Sequence, residues 1–174
     1  MIVVRPASAL VAARQAGWIA AMDPWRSLGY RPEGLARFLR RSARAAEGVL
    51  VAADEEARRG SLLGVVCVQE GVLLGNFVAL LAVKPEAAGQ GVGRALMDAV
   101  ARQTFATHRW LYVSVDAGNR GARAFYRKLG FRQVGRLPDL IRPGRVELLL
   151  RQAAPPKLAA PPARSRARRV PGGA

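Results

Sequence analysis

Residues 82 to 96 read Ala82-Val-Lys-Pro-Glu-Ala-Ala-Gly-Gln-Gly-Val-Gly-Arg-Ala-Leu96, with glycine at positions 89, 91 and 93. Alternate glycines remove the Cβ atoms that would hold a phosphate away from the backbone. A helix beginning just after them aims its free N–H groups into the same space. The segment predicts an anion cradle, with Gly89, Gln90, Gly91, Val92, Gly93 and Arg94 as its contact residues. Arginine at position 94 breaks the G-x-G-x-x-G dinucleotide fingerprint, and no Gly-Lys-Ser/Thr of a nucleotide-triphosphate loop occurs. A second pair with chemical content is Asn119 and Tyr126, seven residues apart. That spacing is about two helical turns, so both side chains project from one face. A phenol with a reference pKa of about 10 is an uncharged proton donor at neutral pH. The plainer roles are an N-cap for Asn119 and core packing for Tyr126.

Other reactive side chains are scarce. Cys67 is the only cysteine and sits in the run Leu63-Gly-Val-Val-Cys-Val68, where core filling is its expected role and no intrachain disulfide can form. The single histidine, His108, lies beside Arg109 in a connector. A zinc cluster or a Ser-His-Asp triad has no better-placed histidine to use, and no metal is expected.

The elements that must position these residues follow from the periodicities. Ile2 to Arg5 reads as a strand closed by Pro6, and Ser8 as the cap of a helix running to about Met22, interrupted by Asp23-Pro24. A helix from Pro32 places Leu35, Phe38, Leu39 and Ala46 on one face and Arg37, Arg40, Arg41 and Arg44 on the other, as a solvated surface in the first instance. Val49 to Ala53 and Leu62 to Val68 read as a hairpin, and Phe77 to Val83, continuously apolar, as a strand buried on both faces. Apolar positions from Gly93 to about Ala106 have helical spacing. Leu111 to Val115 is a further strand, and a helix opens at Asn119 and closes at Gly130. Phe131 to Leu137 and Arg145 to Leu150 supply the last strands. The order predicts one α/β (α+β) domain over residues 1–151 with about seven strands and about four helices.

The chain of 174 residues, 51% of them hydrophobic, suits one domain with a real core. Residues 152–174 change to Ala, Pro and Arg without apolar periodicity, and a disordered basic tail is expected there. Net charge is +16, and removing Arg151 to Ala174, with six basic residues and no acid, still leaves +10. Such a field favours anionic ligands and weak nonspecific nucleic-acid contacts, including through the tail. The longest uncharged run, Gly71 to Val83, is 13 residues, short of the roughly 20 needed to span a bilayer as a helix. With no signal-peptide pattern after Met1, a cytoplasmic location without membrane contact is expected. Oligomeric state is left open.

Two segments resemble the GNAT superfamily of N-acetyltransferases: Val83-x-Pro85 with Gly89-x-Gly91-x-Gly93, and Asn119-x-x-Ala122-x-x-Phe125-Tyr126-x-Lys128-x-Gly130-Phe131. Element order extends the resemblance over Ile2 to Arg151. It implies a mixed, mostly antiparallel sheet with flanking helices and an acetyltransferase that uses acetyl-coenzyme A as co-substrate. The glycine loop would take the pyrophosphate, backbone groups at Leu81, Ala82 and Val83 on a splayed strand the carbonyl and pantetheine, and Asn119 the pantetheine arm. Tyr126 would be the catalytic acid for the departing thiolate. Ala88 stands where the family usually has Arg or Gln, removing one side-chain contact from the loop.

Acyl transfer to an amine also needs a base, since the attacking nitrogen must be neutral. Related N-terminal acetyltransferases often carry a glutamate at the position occupied here by Ser114, so the candidates are Glu70, Asp116 and Glu147. For the acceptor, the first reading is a primary amine of a small molecule or amino acid. The second is a protein N-terminus, because Asp23-Pro24-Trp25 resembles a Pro-Trp of ribosomal-protein alanine acetyltransferases. The third is a catalytically idle fold that binds nucleic acid through the arginine helix and tail.

Overall fold

The computed structural model describes residues 1–44, 48–56 and 61–156. The expected disordered tail from residue 157, and Ala46 on the arginine helix, lie outside the described residues. Seven strands form one sheet in the order β1-β2-β3-β4-β5-β7-β6. They are β1 Ile2–Pro6, β2 Val49–Asp54, β3 Leu62–Val72, β4 Gly75–Val83, β5 Trp110–Asp116, β6 Arg132–Pro138 and β7 Val146–Ala153. Only β4 and β5 pair in parallel, and every other neighbour is antiparallel. The parallel pair needs a crossover, which α4 (Val92–Thr107) provides.

Helices cover both faces. Val66, Val68, Val78, Leu111, Val113 and Leu148 pack against α4 and against Tyr126 of α5 (Arg120–Lys128). Val49, Val51, Val65, Cys67, Leu80 and Ala82 face the other way, towards α1 (Ala9–Ala13), α2 (Ala16–Ala20) and α3 (Pro32–Ser42). Cys67 is buried there as filler, and burial pushes its thiol pKa up. On α3, Arg37, Arg40 and Arg41 are exposed, as is Arg44 just beyond its end.

Three expectations are adjusted. Ser8 caps the first helix, its hydroxyl accepting from the Val11 amide at 3.3 Å, but that helix breaks after Ala13 instead of running to Met22. The Gln15 side chain donates to the Val11 carbonyl at 2.8 Å. The Gln15 amide, which would otherwise take that carbonyl, turns to Ala12 O. Strand β7 runs past Leu150 and past the 151 boundary to Ala153, and the Ala154 amide donates to Arg109 O at 2.8 Å. Strand β4 starts before the expected Phe77, at Gly75, where any Cβ would collide with the Trp110 carbonyl of the parallel neighbour.

The β3–β4 hairpin is turned by two leucines. Val72 pairs with Gly75, and Leu73 and Leu74 both have left-handed backbone, φ 50° and 61°. Asn-Gly is the favoured pair for such a turn, and a branched residue there costs roughly 1–2 kcal/mol. Both leucines are largely exposed, so little packing is lost on replacing them. The double variant Leu73→Asn, Leu74→Gly should gain about 1 kcal/mol after the entropy of the new glycine is counted, and raise Tm by about 2–4 °C by calorimetry. A lower Tm would show that the leucines are held by contacts that outweigh the strain.

Candidate active site

Strands β4 and β5 pair only from Gly75 opposite Trp110 to Val78 opposite Val113, while β4 stays bonded to β3 as far as Val83. The parting starts at a bulge. Cys67 faces Leu80 and Val68 faces Val78, which leaves Ala79 as one extra residue on β4. A bulge bends its strand and increases the twist. Beyond Val78 the β4 edge towards β5, including Leu81 to Val83, therefore has no strand partner.

Two cavities meet at this gap and share Leu81. One, of about 440 Å³, lies on the α4–α5 side and is lined by Leu81, Val83, Ala88, Gly89, Gly91, Val92, Gly93, Arg94, Phe125 and Lys128, among others. The other, of about 230 Å³, crosses the gap. Leu80, Leu81, Ser114, Asp116, Asn119 and Tyr126 line it, with Trp25 and Tyr30 from the α2–α3 connection and Arg142, Arg145 and Glu147 from the β6–β7 turn and β7.

The glycines of the loop do different work. Gly89 and Gly91 have left-handed backbone, φ +77° and +85°, and a Cβ added to either would meet nothing within 4 Å. It would project into space left open for a ligand. Gly93 instead permits close packing, since a Cβ there would stand 3.3 Å from the Phe125 ring. The first backbone bond of α4 runs from the Ala95 amide to Gly91 O at 2.9 Å. The amides of Val92, Gly93 and Arg94 thus have no acceptor within the helix, and positive helix-dipole charge gathers there. Two of the sequence-predicted contacts do not reach the cavity with their side chains. Gln90 is tied back to Glu86 O at 2.9 Å, and Ala82, 2% exposed, packs towards α1–α3. Phe125 and Lys128 line this cavity without having been given a role from the sequence, although their three-residue spacing, which sets both on one helix face, carried the signal.

Asn119 caps α5, its Oδ1 accepting from the Ala122 amide at 3.0 Å, which leaves Nδ2 as a donor on the cavity side. Tyr126 is held edge-on between Phe125 and Phe131, with ring centroids 5.1 and 5.4 Å away. Burial drives its phenol pKa far above the ordinary value, so the hydroxyl keeps its proton.

Asp116 and Glu147 stand directly opposite each other on β5 and β7. Arg145 holds the Asp116 carboxylate through Nε at 2.8 Å and Nη2 at 2.7 Å, and the Gly118 amide adds a third bond at 2.7 Å. Desolvation pushes the Asp116 pKa up, but these bonds outweigh it and hold the group below the usual carboxylate range. Glu147, 7% exposed, is shifted the other way. Desolvation first, and the Asp116 charge second, raise its pKa against the partial opposition of Arg145 and a hydrogen bond from Ser114. One carboxylate is fixed as an anion, and its neighbour is made a better proton acceptor. Glu70 is exposed near the hairpin end of β3 and lines neither cavity.

Residues 45–133 match the acetyltransferase (GNAT) domain. Over 77 residues the chain is 36% identical to the 5-NmdU N-acetyltransferase of Pseudomonas phage PaMx11, a stretch covering 44% of this chain and 54% of that protein. The matched part thus spans about half the length of this curated relative. Among solved structures, a GNAT-family acetyltransferase of Desulfovibrio desulfuricans superposes with a TM-score of 0.70 at 19% identity, covering 89% of this chain and all of the other. An aminoglycoside 6'-N-acetyltransferase complexed with coenzyme A gives a TM-score of 0.71 at 13% identity, covering 88% and 98% of the two chains. At these identities the structures speak for the fold.

The Glu147 shift has a measurable sign. With its pKa raised by folding, Glu147 is least costly while protonated, and its ionisation opposes folding as pH rises through the folded value. Glu147→Gln should therefore melt higher than the parent protein at pH 8, with the difference shrinking towards zero near pH 4. A difference independent of pH would show that the carboxylate is not perturbed.

Proposed function

The chain belongs to the GNAT acetyltransferase family and is an acyltransferase, and we propose that it moves the acetyl group of acetyl-coenzyme A to a primary amine of a small molecule or amino acid. The observation that carries this reading is the pair of cavities joined at Leu81, with an amide-lined cradle at one end and a carboxylate pair at the other.

In this reading the pyrophosphate rests on the amides of Gly89 to Arg94, with Lys128 beside it, and the pantetheine arm runs along the free edge of β4 past Asn119. The thioester then lies in the gap. Glu147 takes the proton from the acceptor ammonium, and the neutral nitrogen attacks the thioester carbon. A backbone N–H on the free edge between Leu81 and Val83 meets the oxyanion that forms. As the C–S bond breaks, the sulfur leaves with the electron pair and takes the Tyr126 proton, and the phenolate recovers a proton from the nitrogen, which attack has left with one too many, so that a neutral amide departs. The desolvation that raises the phenol pKa acts on a buried thiolate as well, so burial does not widen the gap of about 1.5 pKa units between the two free groups. Asp116, held ionised by Arg145 and the Gly118 amide, does not compete for the ammonium proton. Trp25, in the wall of the acceptor cavity, keeps a second reading in view, a protein N-terminus as acceptor. Membership of an enzyme family displaces the idle-fold reading. The phage relative, named for N-acetylation, supports amine chemistry.

Two experiments address the assignment. Gly91→Glu forces a side chain onto left-handed backbone and puts a negative charge in the cradle. It should weaken coenzyme A binding by at least ~10-fold by calorimetry, with circular dichroism unchanged. Full affinity in a folded variant would remove the cradle from the mechanism. Tyr126→Phe keeps the ring between its two aromatic neighbours and deletes the hydroxyl. It should lower kcat by ~10² to 10⁴ in a thiol-release assay while leaving coenzyme affinity intact. Parental kcat under conditions where chemistry limits the rate would leave Tyr126 a packing residue only.

A further inference from the structure

Leu74, at 86%, is the most exposed large hydrophobic side chain among the described residues, and its neighbour Leu73 is 60% exposed. Single exposed leucines are ordinary surface. These two are adjacent, at the tip of the β3–β4 hairpin, and both stand on left-handed backbone. Strain of this kind persists only where the surroundings impose it, and it gathers where a contact is made. The surroundings do impose it here. The Tyr112 hydroxyl donates to the Leu73 carbonyl at 3.3 Å, and Gly75 lies directly against Trp110. The two apolar side chains are therefore presented to solvent on a fixed support.

Charge around the tip is nearly all of one sign. Trp110, at the hairpin root, has the Arg151 guanidinium over its ring at 3.9 Å and that of Arg109 at 4.7 Å. Among the described residues neither arginine is in an ion pair. The stretches that meet beside the tip, 99–115 and 148–156, carry three arginines and no acid, and the hairpin from Leu62 to Val83 carries one acid, Glu70. The described chain ends on this side, where the Ala154 amide is bonded to Arg109 O, and residues 157–174 add five basic residues and no acid. A second copy of this chain, at net charge +16, is repelled by such an end. Leucines projecting past a tryptophan, with cations beside it, match the layers of an anionic lipid surface, where tryptophan favours the interface and arginine the headgroup phosphates.

We infer that this end of the molecule docks on an anionic lipid surface, with Leu73 and Leu74 inserted among the headgroups, Trp110 at the interface and Arg109 and Arg151 on the lipid phosphates. Such a contact needs no spanning segment, and no helix among the described residues is long and apolar enough to cross a membrane. It departs from the expectation of no membrane contact, which rested on the lack of a spanning run. The site stays open in this orientation. Strand β4 runs nine residues from Gly75 to Val83, and at the usual strand rise that sets the glycine loop roughly 26 Å from the hairpin root.

The test is co-sedimentation of the full-length protein with vesicles. Phosphatidylcholine vesicles containing about one third phosphatidylglycerol should bind it, more weakly as salt rises, and phosphatidylcholine alone should bind at least ~10-fold less. Leu73→Asn/Leu74→Gly, the variant expected to melt higher, should lose at least ~10-fold in partition coefficient, so unfolding does not account for the loss. Leu74→Asn alone, which leaves Leu73 and Gly75 in place, should lose at least ~3-fold. Arg109→Gln/Arg151→Gln should lose at least ~5-fold. The control is Leu140→Asn/Ile141→Asn, an adjacent exposed pair on the β6–β7 turn at the other end of the sheet. It should change binding less than ~3-fold. Absence of binding to the anionic vesicles, an equal loss in the control, or no loss in the arginine variant would each overturn the inference. So would full binding by both tip variants, which would leave adsorption by charge alone. The assay contains neither coenzyme A nor an amine, so its failure and a failure of the acetyltransferase reading are separate results.

Discussion

A buried strand that stops pairing halfway leaves N–H and C=O groups without partners, at a cost of roughly 1–3 kcal/mol each unless something else satisfies them. Strand β4 does this beyond Val78, and the arrangement of both cavities follows from it. The bulge at Ala79 turns β4 away from β5 while its other edge stays bonded to β3, so the sheet opens without coming apart. Phe131 and Phe125 fix the ring of Tyr126, and the cap made by Asn119 fixes the start of the same helix. The opening therefore has one rigid wall on α5 and one polar edge on β4.

Electrostatics divides this site into two ends of opposite character. Helix α4 brings the positive end of its dipole and uncommitted amides to one cavity. At the other end, Arg145 locks Asp116 as an anion, and desolvation first, with that anion second, raises the pKa of Glu147. The same arginine that fixes one carboxylate as an anion opposes the shift of its neighbour only in part, so Glu147 keeps its raised pKa. Lysine in place of Arg145 could not make both the Nε and the Nη2 contact.

Much of this was legible in the sequence because it is local. Strand, glycine loop and helix lie within one short stretch, and the seven-residue spacing of Asn119 and Tyr126 fixes their common face once a helix is granted. What was not legible depends on register between distant segments. Nothing in the sequence around Glu147 says that it lies opposite Asp116, because that follows from how β7 inserts between β5 and β6. Glu70 and Asp116 looked equally good until the topology sent one to a hairpin end and the other to the cavity. The inward and outward alternation along β4 likewise decides that Ala82 packs against α1–α3 while Leu81 and Val83 reach the loop side. At the hairpin, Gly75 is needed beside Trp110, and two leucines accept the left-handed strain of the turn, which no local pattern announces.

The passage between β4 and β5 is reached from both sides of the sheet, through the α4–α5 cavity and through the cavity under Trp25 and Tyr30. Neither route crosses the other, so one ligand need not depart before the second arrives. For the proposed reaction, this arrangement corresponds to steady-state kinetics of the sequential form, with intersecting double-reciprocal lines. A dead-end compound lodged under Trp25 and Tyr30 leaves the glycine-loop side accessible. The sheet thus acts as a partition with a slot, and the order of arrival is set by relative affinity and not by steric precedence.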